Sequence, residues 1–180
     1  MAGTAGGRQV RVRSGPGVRP TPLRVREALF SILGDQCVGS RVLDACAGTG
    51  ALGLEALSRG AASVCFVEKS AHVAATLREN LDRIGLAGAR VVHGDVLRVI
   101  PRLGREGCRF DLVFVDQPYD LGLAGPIAGA LVGHGVLASQ ALVVIEHPPG
   151  ELPMSEGLRL VDQRRYGNVA LAFFDAHEGA

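Results

Sequence analysis

The sequence predicts an α/β fold: a doubly wound, mostly parallel, Rossmann-like sheet of about seven strands, closed by a C-terminal antiparallel hairpin and preceded by a small basic extension. Three observations carry this. From Arg41 onward, short runs rich in Val, Leu and Phe alternate four times with longer amphipathic segments, the pattern of βα units that build a parallel sheet. The chain then ends in LRLVDQRRYGNVALAFFDA (158–176), two strand-like runs around a turn at Tyr166-Gly167-Asn168. With 47% apolar residues in 180, one core is within reach and a second large one is not.

The elements follow in order. Residues 1–20 are rich in Gly, Arg and Pro. Within them RQVRVR (8–13) alternates as one edge strand or hairpin arm would, and SGPG is a turn. In RPTPLRVREALFSILG (19–34), Thr21 suits an N-cap and Pro22 the first helical position, where a missing N–H costs nothing. Leu23, Leu29, Phe30 and Leu33 form one apolar face, and Gly34 ends the helix. RVLDAC (41–46), ASVCFVE (62–68), ARVVHGD (89–95), FDLVFVD (110–116) and ALVVIEH (141–147) read as strands. Between them lie helices over 51–60, 71–85, 96–103 and 123–134, the last weakened by glycine. The organisation expected is a basic N-terminal arm and helix over 1–34 and a site-bearing domain over 35–180.

Composition excludes several classes. The four cysteines form no CxxC pair and no histidine stands at ligand spacing beside them, so they read as buried thiols in a reducing compartment, with no metal. No charged-then-apolar leader and no apolar run near 18 residues occurs, which predicts a cytoplasmic protein with no membrane contact. Net charge is only +1, yet residues 1–26 hold six arginines and no acid, so the remainder carries −5. A basic arm on an acidic body can hold phosphates locally, and Arg8, Arg11, Arg13, Arg19 and Arg24 are the candidates.

In doubly wound sheets, ligands bind past the carboxyl ends of the strands near the point where strand order reverses. Each strand here ends in suitable chemistry. DACAGTGALG follows the first strand, and Gly48, Gly50 and Gly53 spell a literal GxGxxG. Taken alone that suggests a dinucleotide pyrophosphate loop. Asp44, four residues before Gly48, opposes it: a fixed carboxylate repels pyrophosphate but welcomes an amine. Ala45 and Ala47 complete this loop. Glu68, followed by Lys69, ends the second strand, where an ionised carboxylate can accept from two vicinal ribose hydroxyls. Asp95, followed by Val96, ends the third and could accept from an adenine amine or cap the next helix. The fourth ends in Asp116-Gln117-Pro118-Tyr119. A ring to stack on a flat base beside a carboxylate to accept from an exocyclic amine suits an enzyme acting on a nucleobase better than a dehydrogenase.

Together Asp44-x-x-Ala47-Gly48-Thr49-Gly50, Glu68, Asp95 and Asp116-x-Pro118-Tyr119 resemble the class I S-adenosylmethionine methyltransferases that act on exocyclic amines. GALGLEALSRGA (50–61), RPTPLRVREALFSIL (19–33) and RRYGNVALAFF (164–174) narrow the resemblance to the RsmD-type family, over roughly residues 8–175. The resemblance implies methyl transfer from S-adenosylmethionine to guanine N2 in small-subunit (16S) ribosomal RNA, on naked RNA or a partly assembled subunit. It implies Asp44, Ala45, Ala47, Gly48, Gly50, Glu68, Lys69, Asp95 and Val96 around the cofactor, and Asp116, Gln117, Pro118 and Tyr119 around the reacting amine. Two departures stand out. Gln117 replaces the first proline of an Asp-Pro-Pro-Tyr tip, and Pro22-Leu23 replaces a Ser/Thr-Asp pair at a helix start. The readings that compete are an amine methyltransferase for DNA adenine or protein, a methyltransferase-like module that binds RNA or cofactor without turnover, and an NAD-dependent oxidoreductase.

Overall fold

The computed structural model describes residues 22–153 and 157–176. Five strands, β1 (Arg41–Asp44), β2 (Ser63–Glu68), β3 (Ala89–His93), β4 (Phe110–Val115) and β5 (Leu137–His147), run parallel. β7 (Val169–Ala176) pairs antiparallel with β5, and β6 (Leu158–Tyr166) pairs antiparallel with β7. The sheet order is β3-β2-β1-β4-β5-β7-β6. Strand order therefore reverses between β1 and β4, whose tips diverge into loops on either side of one crevice.

The central strands β1, β2 and β4 are buried on both faces because helices cover both, whereas the edge strands β3 and β6 are largely exposed. Alternation sends Val42, Val64, Phe66, Leu112, Phe114 and Val144 to one side. There they meet α1 (Leu23–Leu33), α2 (Ala51–Ser58) and α3 (Ala71–Ile84). Leu43, Val67, Val113, Val115, Val143 and Ile145 go to the other side, against α4 (Val96–Arg105) and α5 (Ala124–Gly133). α1 belongs to the first layer. Phe30 is fully buried, edge-on to Phe114 with centroids 5.8 Å apart, and the Arg59 guanidinium lies 5.0 Å over its ring while bridging to Glu55 at 2.9 Å. At the N-terminal ends of the central strands, Arg41 and Asp111 clasp the starts of β1 and β4 through two side-chain bonds of 2.9 Å each.

The expected elements are present, with shifted ends. β1 stops at Asp44 rather than Cys46, and β3 at His93. β5 starts four residues earlier than expected, at Leu137, because the chain pairs with Phe110 before an irregular step at Gln140 (φ 63°) and resumes in register at Leu142. Leu23 does not join the apolar face of α1: it is 58% exposed, and Val25 is buried with Leu29, Phe30 and Leu33 instead. Pro22 flanks α1 instead of opening it. Thr21, the RQVRVR segment and Arg8, Arg11, Arg13 and Arg19 lie outside the described residues. Among the described residues no helix is long and apolar enough to cross a membrane.

The glycines after β1 divide by task. A side chain on Gly53 would run into the Phe66 ring and lie 2.8 Å from Val64 Cγ1, so this glycine lets α2 pack closely on β2. Gly53→Ala should lower the unfolding free energy by about 1–2 kcal/mol, overpacking exceeding the gain in helix propensity. Urea denaturation measures it, and a stabilised variant would mean that the Phe66 wall yields.

Candidate active site

The crevice between β1 and β4 is ringed by acids. Asp44 stands opposite Phe114 in the sheet, so Asp116, two residues further along β4, projects from the same face. Asp44 is 2% exposed, and its Oδ2 accepts the Gly53 N–H at 3.0 Å, which ties the strand tip to the first turn of α2. Burial pushes its carboxyl up to about 7; the Gly53 bond opposes this, and the charges of Asp116 and Glu68 add to it. Glu68 binds the glycine loop to β2: one oxygen accepts Gly48 N–H at 2.9 Å and the other Ser70 N–H at 2.6 Å. Each oxygen of an ionised carboxylate can accept more than one bond, so these contacts fix its direction without exhausting it. Cys46 lies among these groups. Burial first, then Asp44, Asp116, Glu68 and Asp95, push its thiol up to about 12, so it is an inert apolar wall.

Asp95 caps α4, accepting Leu97 N–H at 3.0 Å, while its other oxygen lies 3.2 Å from Lys69 Nζ. The lysine holds its carboxyl below the ordinary aspartate value. The expected helix-cap role is thus the one seen, and Lys69 acts as its exposed partner. Val96 and Ala45 turn their side chains into the second core layer. The Ala45 and Ala47 N–H groups bond to Phe114 O and Val67 O, which knits the loop to the flanking strands. Gly48 (φ 51°) faces open space, whereas a side chain on Gly50 (φ 80°) would strike Leu77 and come within 3.3 Å of Phe66. Gly48 therefore gives a ligand access, and Gly50 permits the tight turn into α2.

At the β4 tip the chain turns through Gln117 and Pro118 into a single 3₁₀ turn at Tyr119–Leu121. Gln117 is buried, and its Oε1 accepts Leu123 N–H at 3.2 Å, just before α5. Tyr119 donates its hydroxyl to Glu146 Oε1 at 2.7 Å. Glu146, at the end of β5 and 7% exposed, was not expected from the sequence. It follows the apolar run ALVVI as an acid, as Asp44, Glu68 and Asp116 follow theirs, and that shared signal could have found it. A small pocket lies between Asp116 and Glu146, walled by Leu29, Leu52, Phe114 and Leu171. Among the described residues no group of three acids, histidines or cysteines could hold a metal ion. The arm's last candidate, Arg24, is exposed at the start of α1.

The family model Conserved hypothetical protein 95 matches residues 1–175. Ribosomal RNA small subunit methyltransferase D of Escherichia coli is 41% identical over 78% of this chain and 69% of its own length. Its Haemophilus influenzae counterpart of the same name is 36% identical over 81% and 76%. This chain belongs to the RsmD family of methyltransferases. The solved structure of Escherichia coli yhhF agrees, with a TM-score of 0.84 at 32% identity over 97% of this chain and 95% of that one.

Within the RsmD family fold, the departure at Gln117 acquires a physical account. A proline at that position would stiffen the turn by fixing φ. Gln117 uses a buried side-chain bond to the start of α5 instead, which holds the Tyr119 turn from its other end. The departure at Pro22-Leu23 leaves α1 with no acid in its first turn and an exposed leucine there.

Two predictions follow from these contacts. Asp44 binds its proton more tightly in the fold than its ordinary value of 3.8 implies. Its stabilising contribution is therefore complete below pH 3.8 and is lost as pH rises through about 7. The stability of wild type relative to Asp44→Asn should fall steadily across that interval; a flat difference in thermal melts would contradict the burial argument. Gln117→Ala should leave cofactor affinity unchanged and slow turnover about fivefold, the equivalent of one lost hydrogen bond worth about 1 kcal/mol. Paired calorimetry and rate measurements separate the two effects.

Proposed function

We propose that this chain binds S-adenosylmethionine over the glycine loop and transfers its methyl group to the exocyclic N2 amine of a guanine in small-subunit ribosomal RNA. The observation that carries the cofactor assignment is the convergence of Asp44, Glu68 and Asp116 on one crevice beside the open Gly48. Three carboxylates in a poorly hydrated space repel one another, and a dinucleotide pyrophosphate would worsen that repulsion. A ligand with an ammonium and a sulfonium relieves it. Asp44 and the loop after β1 would take the amino-acid end of the cofactor, Glu68 the ribose hydroxyls, and the Asp95-Val96 segment the adenine. The RNA assignment follows the E. coli and H. influenzae relatives, whose names state a small-subunit ribosomal RNA activity. The reading includes a partly assembled subunit as well as naked RNA as substrate, since either can present an unstacked base.

Bound cofactor supplies an electrophilic methyl on sulfur. The protein's task is alignment, which can contribute about 7–11 kcal/mol of a barrier when reacting atoms are held in line. Asp116 accepts a hydrogen bond from the target amine, and the backbone carbonyl of Gln117 can accept the second, so the nitrogen lone pair points away from both. The amine becomes cationic as the new bond forms, and the Asp116 carboxylate stabilises that charge in a site with little water. No strong base is needed before attack, and the proton the methylated amine then sheds passes to the Asp116 carboxylate or to solvent. Tyr119 stacks on the extruded base, and Pro118 keeps the turn extended beneath it.

Asp116→Ala should reduce tritiated-methyl transfer to unmethylated small ribosomal subunits by about 10²–10³-fold, the scale of losing a positioned electrostatic group. Calorimetric affinity for S-adenosylmethionine should hold within a few-fold. Nucleoside digestion should place the label in N2-methylguanosine. Wild-type rates in the variant would remove Asp116 from the mechanism, and label in adenosine or protein would overturn the substrate.

A further inference from the structure

Glu146 sits where a base edge would be read. β4 and β5 run parallel with Val113 opposite Val143, Phe114 opposite Val144 and Val115 opposite Ile145. The next positions, Asp116 and Glu146, therefore project side by side from the face that carries Phe114 and Val144. Adjacent strands are about 4.8 Å apart, so both acids can reach one purine edge. Their pocket has apolar walls at Leu29, Leu52, Phe114 and Leu171. Glu146 is 7% exposed there, and its Oε1 already fixes the Tyr119 hydroxyl at 2.7 Å.

We infer that Glu146 accepts a hydrogen bond from the N1–H of the target guanine and thereby makes the pocket selective for guanine. The inference rests on the guanine-N2 reading above and deepens it. Guanine presents N1–H and the 2-amine as adjacent donors. Adenine presents one amine beside an N1 lone pair. An ionised carboxylate only accepts, so it pairs with the first edge and repels the second. Asp116 then holds the reacting amine, Glu146 identifies the ring that carries it, and the Tyr119 bond couples identification to stacking.

2-Aminopurine separates reading from mere support of Tyr119, because it keeps the 2-amine but offers N1 as an acceptor. The wild-type enzyme first locates its own target in unmethylated ribosomal RNA. Transfer is then compared on ligated RNA carrying guanine or 2-aminopurine at that nucleotide. Wild type should prefer guanine by well over about tenfold, as sites built to bond a donor do. Glu146→Gln, whose amide can donate to N1, should shrink that preference by about tenfold, with cofactor affinity and melting temperature unchanged. Tyr119→Phe should slow both substrates by the same factor and leave the preference intact. Equal slowing of both substrates by Glu146→Gln would show that the acid only supports Tyr119 and would overturn the inference. So would equal wild-type rates on the two RNAs, a result that needs no variant to fold. If the wild-type enzyme makes no N2-methylguanosine at all, the functional reading itself falls, which is a separate outcome.

Discussion

The sheet, the glycine loop and the first turn of α2 together take the Asp44 carboxylate out of water, and the partner they give it, the Gly53 N–H, is neutral. A neutral donor compensates little of the cost of burying a full charge. Asp116 and Glu68 add repulsion. The three carboxylates therefore favour a partner that carries positive charge. The same constraint accounts for the inert Cys46 thiol, for the glycine that leaves the crevice open at position 48, and for the choice between a cationic and an anionic cofactor. Strain of this kind is stored where a ligand will relieve it, and the two packed layers on either side of the sheet hold it in place.

Much of this was legible in the residues. Apolar runs that stop at an acid, as in RVLD, SVCFVE and FDLVFVD, mark both a buried strand and the chemistry at its tip. Strand order reverses where the rule for doubly wound sheets locates a ligand, and Asp44 and Asp116 stand on either side of that reversal. What escaped the sequence depends on contacts between distant segments. The need for glycine at 50 and 53 is set by Phe66 and Leu77. The inward turn of Gln117 depends on a backbone donor six residues later. Glu146 matters because β5 lies beside β4 and because Tyr119 folds back onto it. Leu23 misled because helical spacing places it near the apolar face, but at the first position of α1 there is no core left to cover it.

The tip of β4 shows how one local requirement can be met by different chemistry. On the proposed mechanism the turn presents a backbone carbonyl and an aromatic ring in fixed relation to Asp116. Proline does so through a covalent restriction that operates even in the unfolded chain. Glutamine does so through a bond that exists only when α5 is docked. The second solution makes the turn depend on α5 packing into the layer that holds Ile127 and Leu131. Order in the active-site turn is then coupled to order in a helix that contributes no side chain to the pocket.

An acid-ringed pocket and a polyanionic substrate impose a geometry on each other. RNA phosphates cannot approach Asp116 and Glu146 closely, because like charges near a low-dielectric wall repel strongly. The nucleobase carries no such charge, and guanine's Watson–Crick edge is rich in donors. Only an extruded base can therefore enter, while the backbone must be held elsewhere. The proposed candidates for that task are basic residues of the N-terminal segment, since residues 1–26 hold six arginines and no acid against −5 in the remainder. Arg24 and Leu29 are five residues apart on α1, about 7.5 Å of helix rise, so the end of the basic segment lies close to the pocket wall. On the proposed function, phosphate attraction by arginines and carboxylate selection in the pocket would be two halves of one electrostatic filter, admitting the base and rejecting the backbone.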